Sequence, residues 1–286
     1  MNSTEIKQKQ RLDFLIQILL KETDYKIKIP DNLEEKHLIY KSLCNMRHPF
    51  ELSDDFFKIE KEYLQERLKH FKITKVKDIP PLMITHKFLS GKQKIKNLEK
   101  ICLWKGDITK LEIDSIVNAG NSDGLGCFDP THVCIDNQIH SEAGAGLRME
   151  CYKYMKKKKD NKLNDGEAMI TKAYNLPCKN VIQTVGPCIE QGYSPDEQNK
   201  KDLGLCYTNC LKLLISEKLY SIAFPAISTG LYGFPKKLAA KIALKKIDEF
   251  IDGLNEEDKD KIKVVINFSL FLSKVNNFFI IKSILY

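Results

Sequence analysis

The sequence predicts an α/β layered domain preceded by a small helical N-terminal region. Three observations carry this reading. From residue 113 onward, short β-branched runs alternate with helix-spaced stretches, the pattern of strands buried between helices. The first 90 or so residues read as helical, in Lys/Glu-rich sequence. Between them stands Pro80-Pro81, a pair that cannot lie inside a helix and marks a linker. The expected division is a helical region over 1–90 and an α/β domain over 91–286.

The elements follow in order. Leu12, Phe14, Leu15, Ile18 and Leu19 recur at helical spacing. Asp31 is the expected N-cap of a second helix, 33–44. Ser53, followed by Asp54 and Asp55, opens a third over 56–68. A lysine-rich segment, 87–100, comes after the linker. Strands are expected at 113–118, 168–173, 181–185, 221–226 and 263–268. Helices are expected at 135–155, 203–216 and 235–250, the last with proline in its first turn. The apolar, Asn/Lys-rich tail over 269–286 takes no assignment.

Composition excludes several classes. With 286 residues, 43% hydrophobic and 29% charged, the chain has ample length for a core and is neither disordered nor collagen-like. Its longest apolar stretches, such as 278–281, fall short of the ~18–20 residues that a membrane helix needs. The polar first eleven residues lack an apolar h-region and a small-residue cleavage site. A cytoplasmic protein with no membrane partner is therefore expected. Nine cysteines, an odd number, favour thiols or a metal site over a disulfide framework. The net charge of +8 is nearly all lysine; Arg11, Arg47, Arg67 and Arg148 are the only arginines. Base readout leans on arginine, so the basic balance argues only weakly for nucleic acid, which is not expected as a partner, and brings a mild attraction to anionic ligands.

Four segments carry chemistry. The first is Gly106-Asp107-Ile108-Thr109, followed by Ile116-Val117-Asn118-Ala119-Gly120-Asn121. It reads as a strand delivering amides to the carboxyl edge of a sheet, where α/β folds bind ligands, or as a plain turn. The second is Gly126-Cys127-Phe128-Asp129-Pro130-Thr131-His132-Val133-Cys134. Two thiols and an imidazole within eight positions suit zinc. Three ligands leave a position open, and a fourth from elsewhere would make the site structural; buried cysteines acting as small hydrophobes are the alternative. The third is Ile135-Asp136-Asn137-Gln138-Ile139-His140. Asp136 near a helix N-terminus either caps the helix or meets substrate and activates water; His140 reads first as a packing residue. The fourth is the loop Ala226-Ile227-Ser228-Thr229-Gly230-Leu231-Tyr232-Gly233 before a helix. Its backbone N–H groups could cradle a phosphate; a generic loop is the alternative. No Walker-type lysine follows. Gly186-Pro187, after the strand at 181–185, is a weaker signal of the same edge.

Taken in this order, the segments resemble the macrodomain, an ADP-ribose-binding α/β module. The resemblance covers nearly the whole chain and implies a three-layer α/β/α domain with a mixed sheet. Where the family commonly has a glycine-rich loop and Val-Asp, this chain has Cys127…His132-Val133-Cys134-Ile135-Asp136-Asn137. That replacement resembles the zinc-dependent branch of macrodomain hydrolases, as do the helical N-terminal region, the Pro-Pro linker and Tyr174-Asn175-Leu176-Pro177…Thr184-Val185-Gly186-Pro187.

By position, the resemblance makes Asp107 and Ile108 adenine contacts and Asn118 and Asn121 holders of the distal ribose. Ser228, Thr229, Gly230, Leu231 and Tyr232 would wrap the pyrophosphate. Cys127, His132 and Cys134 would hold one Zn2+ with an open position, and Asp136 and Asn121 would be catalytic. The implied activity is release of mono-ADP-ribose from a modified protein, with an Asp/Glu linkage preferred; a non-catalytic reader of ADP-ribose is the alternative. Two departures stand out. Gly120 replaces the usual alanine, and 269–274 lacks the acidic stretch that leads to a Tyr-containing helix.

Overall fold

The computed structural model describes residues 3–85 and 95–268. Three helices come first: α1 (Ser3–Leu20), α2 (Leu33–Met46) and α3 (Asp54–Leu68). They bury Leu12, Leu15, Ile16, Leu19, Tyr40, Phe56 and Tyr63 in a common core that also takes in Ala145 of the α/β domain. Ser53 caps α3 as expected, accepting the Phe56 N–H. The cap of α2 is Asn32, not Asp31. Asn32 Oδ1 accepts the N–H groups of Glu34 and Glu35, while Asp31 is drawn away by Lys9 at 3.1 Å.

The linker is strapped down. β1 (Thr74–Lys75) leads through a 3-10 turn (Val76–Asp78) and the single-turn α4 (Leu82–Thr85) to β2 (Ile101–Lys105). A second 3-10 turn (Ile108–Lys110) and β3 (Leu111–Glu112) follow, and β1 pairs in parallel with β3. Asn97, at the end of the lysine-rich segment, is buried against Asp248 through a 2.8 Å side-chain hydrogen bond. The expected boundary at 90/91 and the tail over 269–286 lie outside the described residues.

The remaining elements are β4 (Ser115–Gly120), α5 (Ile135–Ala143), α6 (Ala145–Met155), β5 (Ala168–Lys172), β6 (Asn180–Val185), α7 (Glu197–Ser216), β7 (Ser221–Phe224), α8 (Lys236–Asp252), α9 (Glu256–Lys261) and β8 (Lys263–Phe268). The sheet order is β2-β8-β7-β4-β6-β5. All its neighbours are parallel except β5, which runs antiparallel to β6. Successive strand residues enter opposite cores, as the two-residue period requires. Val117, Ile182, Ile222 and Val264 face α7 and α8; Ile116, Val181, Ala223 and Val265 face α5 and α6. This is the mixed-sheet, three-layer arrangement that the resemblance implied. Among the described residues, no helix is long and apolar enough to cross a membrane.

Several boundaries differ from expectation. The strand expected at 113–118 runs over 115–120, because Asp114 is held at a corner by Tyr220 N–H, Ser221 and Lys179. β7 stops at Phe224 because Pro225 has no N–H to offer the ladder. Pro235 stands at the N-cap of α8, one position before its first turn. β2 and α9 were not expected at all; both are short, and periodicity is weak over so few residues.

The single helix expected over 135–155 is two helices. Gly144 breaks it at φ 90°, and a Cβ there would lie 2.5 Å from Glu60 Oε2. The break creates a fresh helix N-terminus. Its Ala145 N–H donates to Glu60 Oε1 at 3.0 Å, and Tyr40 Oη donates to the same oxygen at 2.8 Å. With Gln65 Nε2 on the Asn175 carbonyl (2.9 Å) and Lys41 Nζ on Gln138 Oε1 (2.6 Å), the helical region docks directly on α5 and α6.

Burial lifts the Glu60 carboxyl to about 7. A folded-state pKa above the free value stabilises the fold below about 4.5, and the contribution is lost as pH rises through about 7. His37, pushed down to about 3 by burial, acts in the opposite direction, so Glu60 is isolated by difference. Relative to the parent, Glu60→Gln should gain unfolding free energy steadily between pH 4.5 and 7 in urea melts. A difference independent of pH would contradict a buried, titrating carboxyl.

Candidate active site

A cavity of about 290 Å³ opens at the carboxyl ends of β4, β6 and β7. Asn121 lines its first wall, past the end of β4. Asn121 Nδ2 donates to the Gly126 carbonyl at 3.2 Å and its Oδ1 accepts the Asp123 N–H, so this amide ties the strand end to the cysteine-bearing loop. Gly120 also lines the cavity. A Cβ there would meet nothing closer than 3.7 Å, so glycine is not required at this position.

The second wall is the loop before α5. Cys127 Sγ, His132 and Cys134 Sγ lie within 4.8 Å of one another, all half-buried, with Cys127 Sγ 3.6 Å from His132 Nδ1. Asn137 braces the loop from behind, its Nδ2 donating to the carbonyls of Asp129 (2.6 Å) and His132 (2.8 Å). Burial pushes the Cys134 thiol up to about 12. Two soft sulfurs and an imidazole of this closeness fit zinc as a donor set, and metal binding would displace the thiol protons.

Asp136 forms the floor, 4% exposed yet reaching the cavity. It does not cap α5. Cys134 does, its Sγ accepting the Asn137 N–H at 3.3 Å. Asp136 Oδ1 instead accepts from Asn118 Nδ2 at 2.7 Å, and burial lifts the carboxyl to about 6. His140 Nε2 lies 3.4 Å from the same oxygen. Burial holds its ring well below the usual imidazole range, hence neutral, which agrees with a packing role.

The third wall is the loop between β7 and α8. Ser228 sits at φ 60°, and its carbonyl accepts the Phe234 N–H at 2.9 Å. Tyr232 O accepts the Ile189 N–H at 2.8 Å, fastening the loop to the chain beyond β6. Gly186 makes this possible: a Cβ there would clash with Ser228 Oγ and come 2.7 Å from Ile227 Cγ2. Gly186→Ala should therefore cost about 1–3 kcal/mol by overpacking, whereas Gly120→Ala should be tolerated. Equal melting temperatures for the two would count against this close approach.

The cavity thus gathers Asn121, Cys127, His132, Cys134, Asp136, Ser228, Gly230, Leu231 and Tyr232. Four expected residues do not line it. Asn118 is fully buried behind Asp136. Asp107 turns its carboxylate onto the Thr109 N–H and hydroxyl, and Ile108 is buried in the core under α5 and α6. Thr229 donates its hydroxyl to the Ala226 carbonyl.

Known proteins resemble this chain in sequence and fold. The Macro domain family model matches residues 117–243. A protein named protein-ADP-ribose hydrolase from Treponema medium is 37% identical, the match covering 91% of this chain and 94% of that one. The chain belongs to the macrodomain family. A Staphylococcus aureus protein of the same name is 36% identical, with 91% of this chain and 90% of that one covered. The Trypanosoma brucei macrodomain in complex with ADP-ribose superposes with a TM-score of 0.59 at 26% identity, covering 85% of this chain and 94% of that one. The Oceanobacillus iheyensis macrodomain with MES bound gives 0.55 at 32% identity, covering 67% and 94%.

Two residues of this macrodomain site escaped sequence reasoning. Gln183 of β6 is 3% exposed, and its Oε1 accepts Asn118 Nδ2 at 2.6 Å. A glutamine inside the apolar run at 181–185 was the available signal. Arg148 of α6 is 2% exposed and reaches the Cys127 carbonyl; an arginine between Leu147 and Met149 was the signal there.

Proposed function

We propose that this macrodomain is a zinc-dependent hydrolase that releases mono-ADP-ribose from Asp/Glu side chains of a modified protein. The observation that carries the reading is the Cys127, His132 and Cys134 cluster beside Asp136 in a single cavity. Relatives matched over nine-tenths of the chain and named protein-ADP-ribose hydrolase support the enzymatic part. When bound, zinc supplies a fixed positive charge that polarises oxygen ligands.

The chain's own residues do the rest. Water adds to C1″ of the distal ribose while the bond to the acceptor carboxyl oxygen breaks, through an oxocarbenium-like state. The acceptor leaves as a carboxylate with the bonding pair, and the water proton passes to Asp136. Asn118, held by Gln183, fixes the rotamer of the Asp136 carboxylate. Asn121 orients a ribose hydroxyl. Backbone N–H groups over 228–232 hold the pyrophosphate, binding energy remote from the reacting carbon. Asp107, its carboxylate on Thr109, and Ile108, anchored in the core, hold in place the segment assigned to the adenine end, and Thr229 shapes the phosphate loop. Residues 91–286 form the macrodomain proper. Nine free cysteines accord with a reducing, cytoplasmic setting.

The test is release of free ADP-ribose from an Asp/Glu-linked ADP-ribosylated protein, before and after chelation. Release that vanishes with chelator and returns with added zinc is expected. No release by a folded protein that still binds ADP-ribose would overturn the Asp/Glu linkage and point to a reader or to another linkage.

A further inference from the structure

Arg148 touches two parts of the molecule far from it in sequence. Its Nη1 donates to the carbonyls of Cys44 (3.0 Å), Asn45 (2.8 Å) and Arg47 (2.7 Å), at the C-terminal end of α2. Its Nη2 reaches the carbonyl of Cys127 at 3.3 Å. The guanidinium carbon lies 4.4 Å from the centre of the Phe128 ring, and that ring lies 5.3 Å from the ring of His48. Residues 127 and 128, at the first cysteine of the loop, are therefore gripped by Arg148 on one side and by the chain at 44–48 on the other. Gly126 admits the approach: at φ 90°, a Cβ would lie 3.0 Å from Arg148 Nη2 and 2.9 Å from His140 Cδ2.

The chemistry suits a clamp. The last carbonyls of a helix lack intrahelical partners and carry the negative end of its dipole. A buried cation is costly unless its donors are paired; here both Nη groups pair, with two separate chain segments, while Nε has no hydrogen-bond partner. Guanidinium spans both because its donors lie fixed in one plane; an ammonium has no such fork.

We propose that Arg148 is the positioning residue of the metal loop and that the N-terminal helical region, through residues 44–48, holds it in place. The inference rests on the zinc reading above. It makes the N-terminal region a structural part of the metal site rather than a separate module. Groups that fix the backbone beside a ligand set how far the sulfur and imidazole donors stray before the ion arrives, and their loss typically costs metal affinity about 10–100-fold.

The experiment measures zinc affinity of the full chain by competition with a chromophoric chelator, alongside the absorption of the cobalt-substituted protein. Arg148→Lys should bind zinc about 10–100-fold more weakly. Because burying a lysine there risks misfolding, Phe128→Ala is the second variant. It alters no ligand and should lose about tenfold, with the metal-free melting temperature near that of the parent. Phe128→Tyr, which keeps an aromatic face under the guanidinium, should restore parental affinity and cobalt bands. Folded Arg148→Lys and Phe128→Ala proteins that bind zinc as the parent does would overturn the proposal alone. A parent that takes up no zinc would sink the metal reading, and the clamp with it.

Discussion

Asp136→Asn is expected to lower the rate of ADP-ribose release about 10²–10⁴-fold, the range for removal of a general base, while ADP-ribose still binds. The substitution keeps the shape of the side chain and leaves an oxygen to accept from Asn118 Nδ2, now at 2.7 Å. The carboxylate is not needed as a helix cap, since Cys134 Sγ fills that place. Loss of rate without loss of binding or of melting temperature would separate chemistry from folding. Single-turnover release and calorimetric titration of ADP-ribose measure the two. A variant that releases ADP-ribose at the parental rate would remove Asp136 from the mechanism.

Cys127→Ala should abolish zinc uptake and reduce release to the level of the chelated parent. Of the two cysteines it is the cleaner probe. Cys127 Sγ caps no helix, and its contacts to His132 Nδ1 at 3.6 Å and the Asp129 carbonyl at 3.8 Å are long. Cys134→Ala also removes the cap of α5, which is expected to cost up to about 0.5–2 kcal/mol by analogy with oxygen caps. Zinc content by elemental analysis and thermal melts of the metal-free proteins distinguish these outcomes. Full zinc content and full release in Cys127→Ala would exclude the three-residue site.

The loops and the residues behind them differ in how far they could be read. Cys127, His132 and Cys134 stand close in sequence, so one short loop carries all three side chains. Asn121, Asp136 and Ser228 come from separate segments and meet because strands of a parallel sheet all deliver their carboxyl ends to one edge. Asn118 was readable as a site residue, yet its side chain faces Asp136 and Gln183 inside the molecule. Which way a strand residue points depends on register, and the strand begins two residues later than its β-branched run suggests.

By itself, then, the sequence determined the α/β alternation, the helical N-terminal region, the order of the motifs and the identity of the donor set. These rest on spacing along the chain and on residue chemistry, both local. Only the tertiary structure decided that Gly144 splits a helix to receive Glu60, that Gly186 yields space to Ser228, and that Arg148 joins α2 to the cysteine-bearing loop. Each is a contact between residues tens of positions apart, set by the packing of one layer on another. No pattern within a short window encodes such a distance, because it depends on how every intervening element is placed.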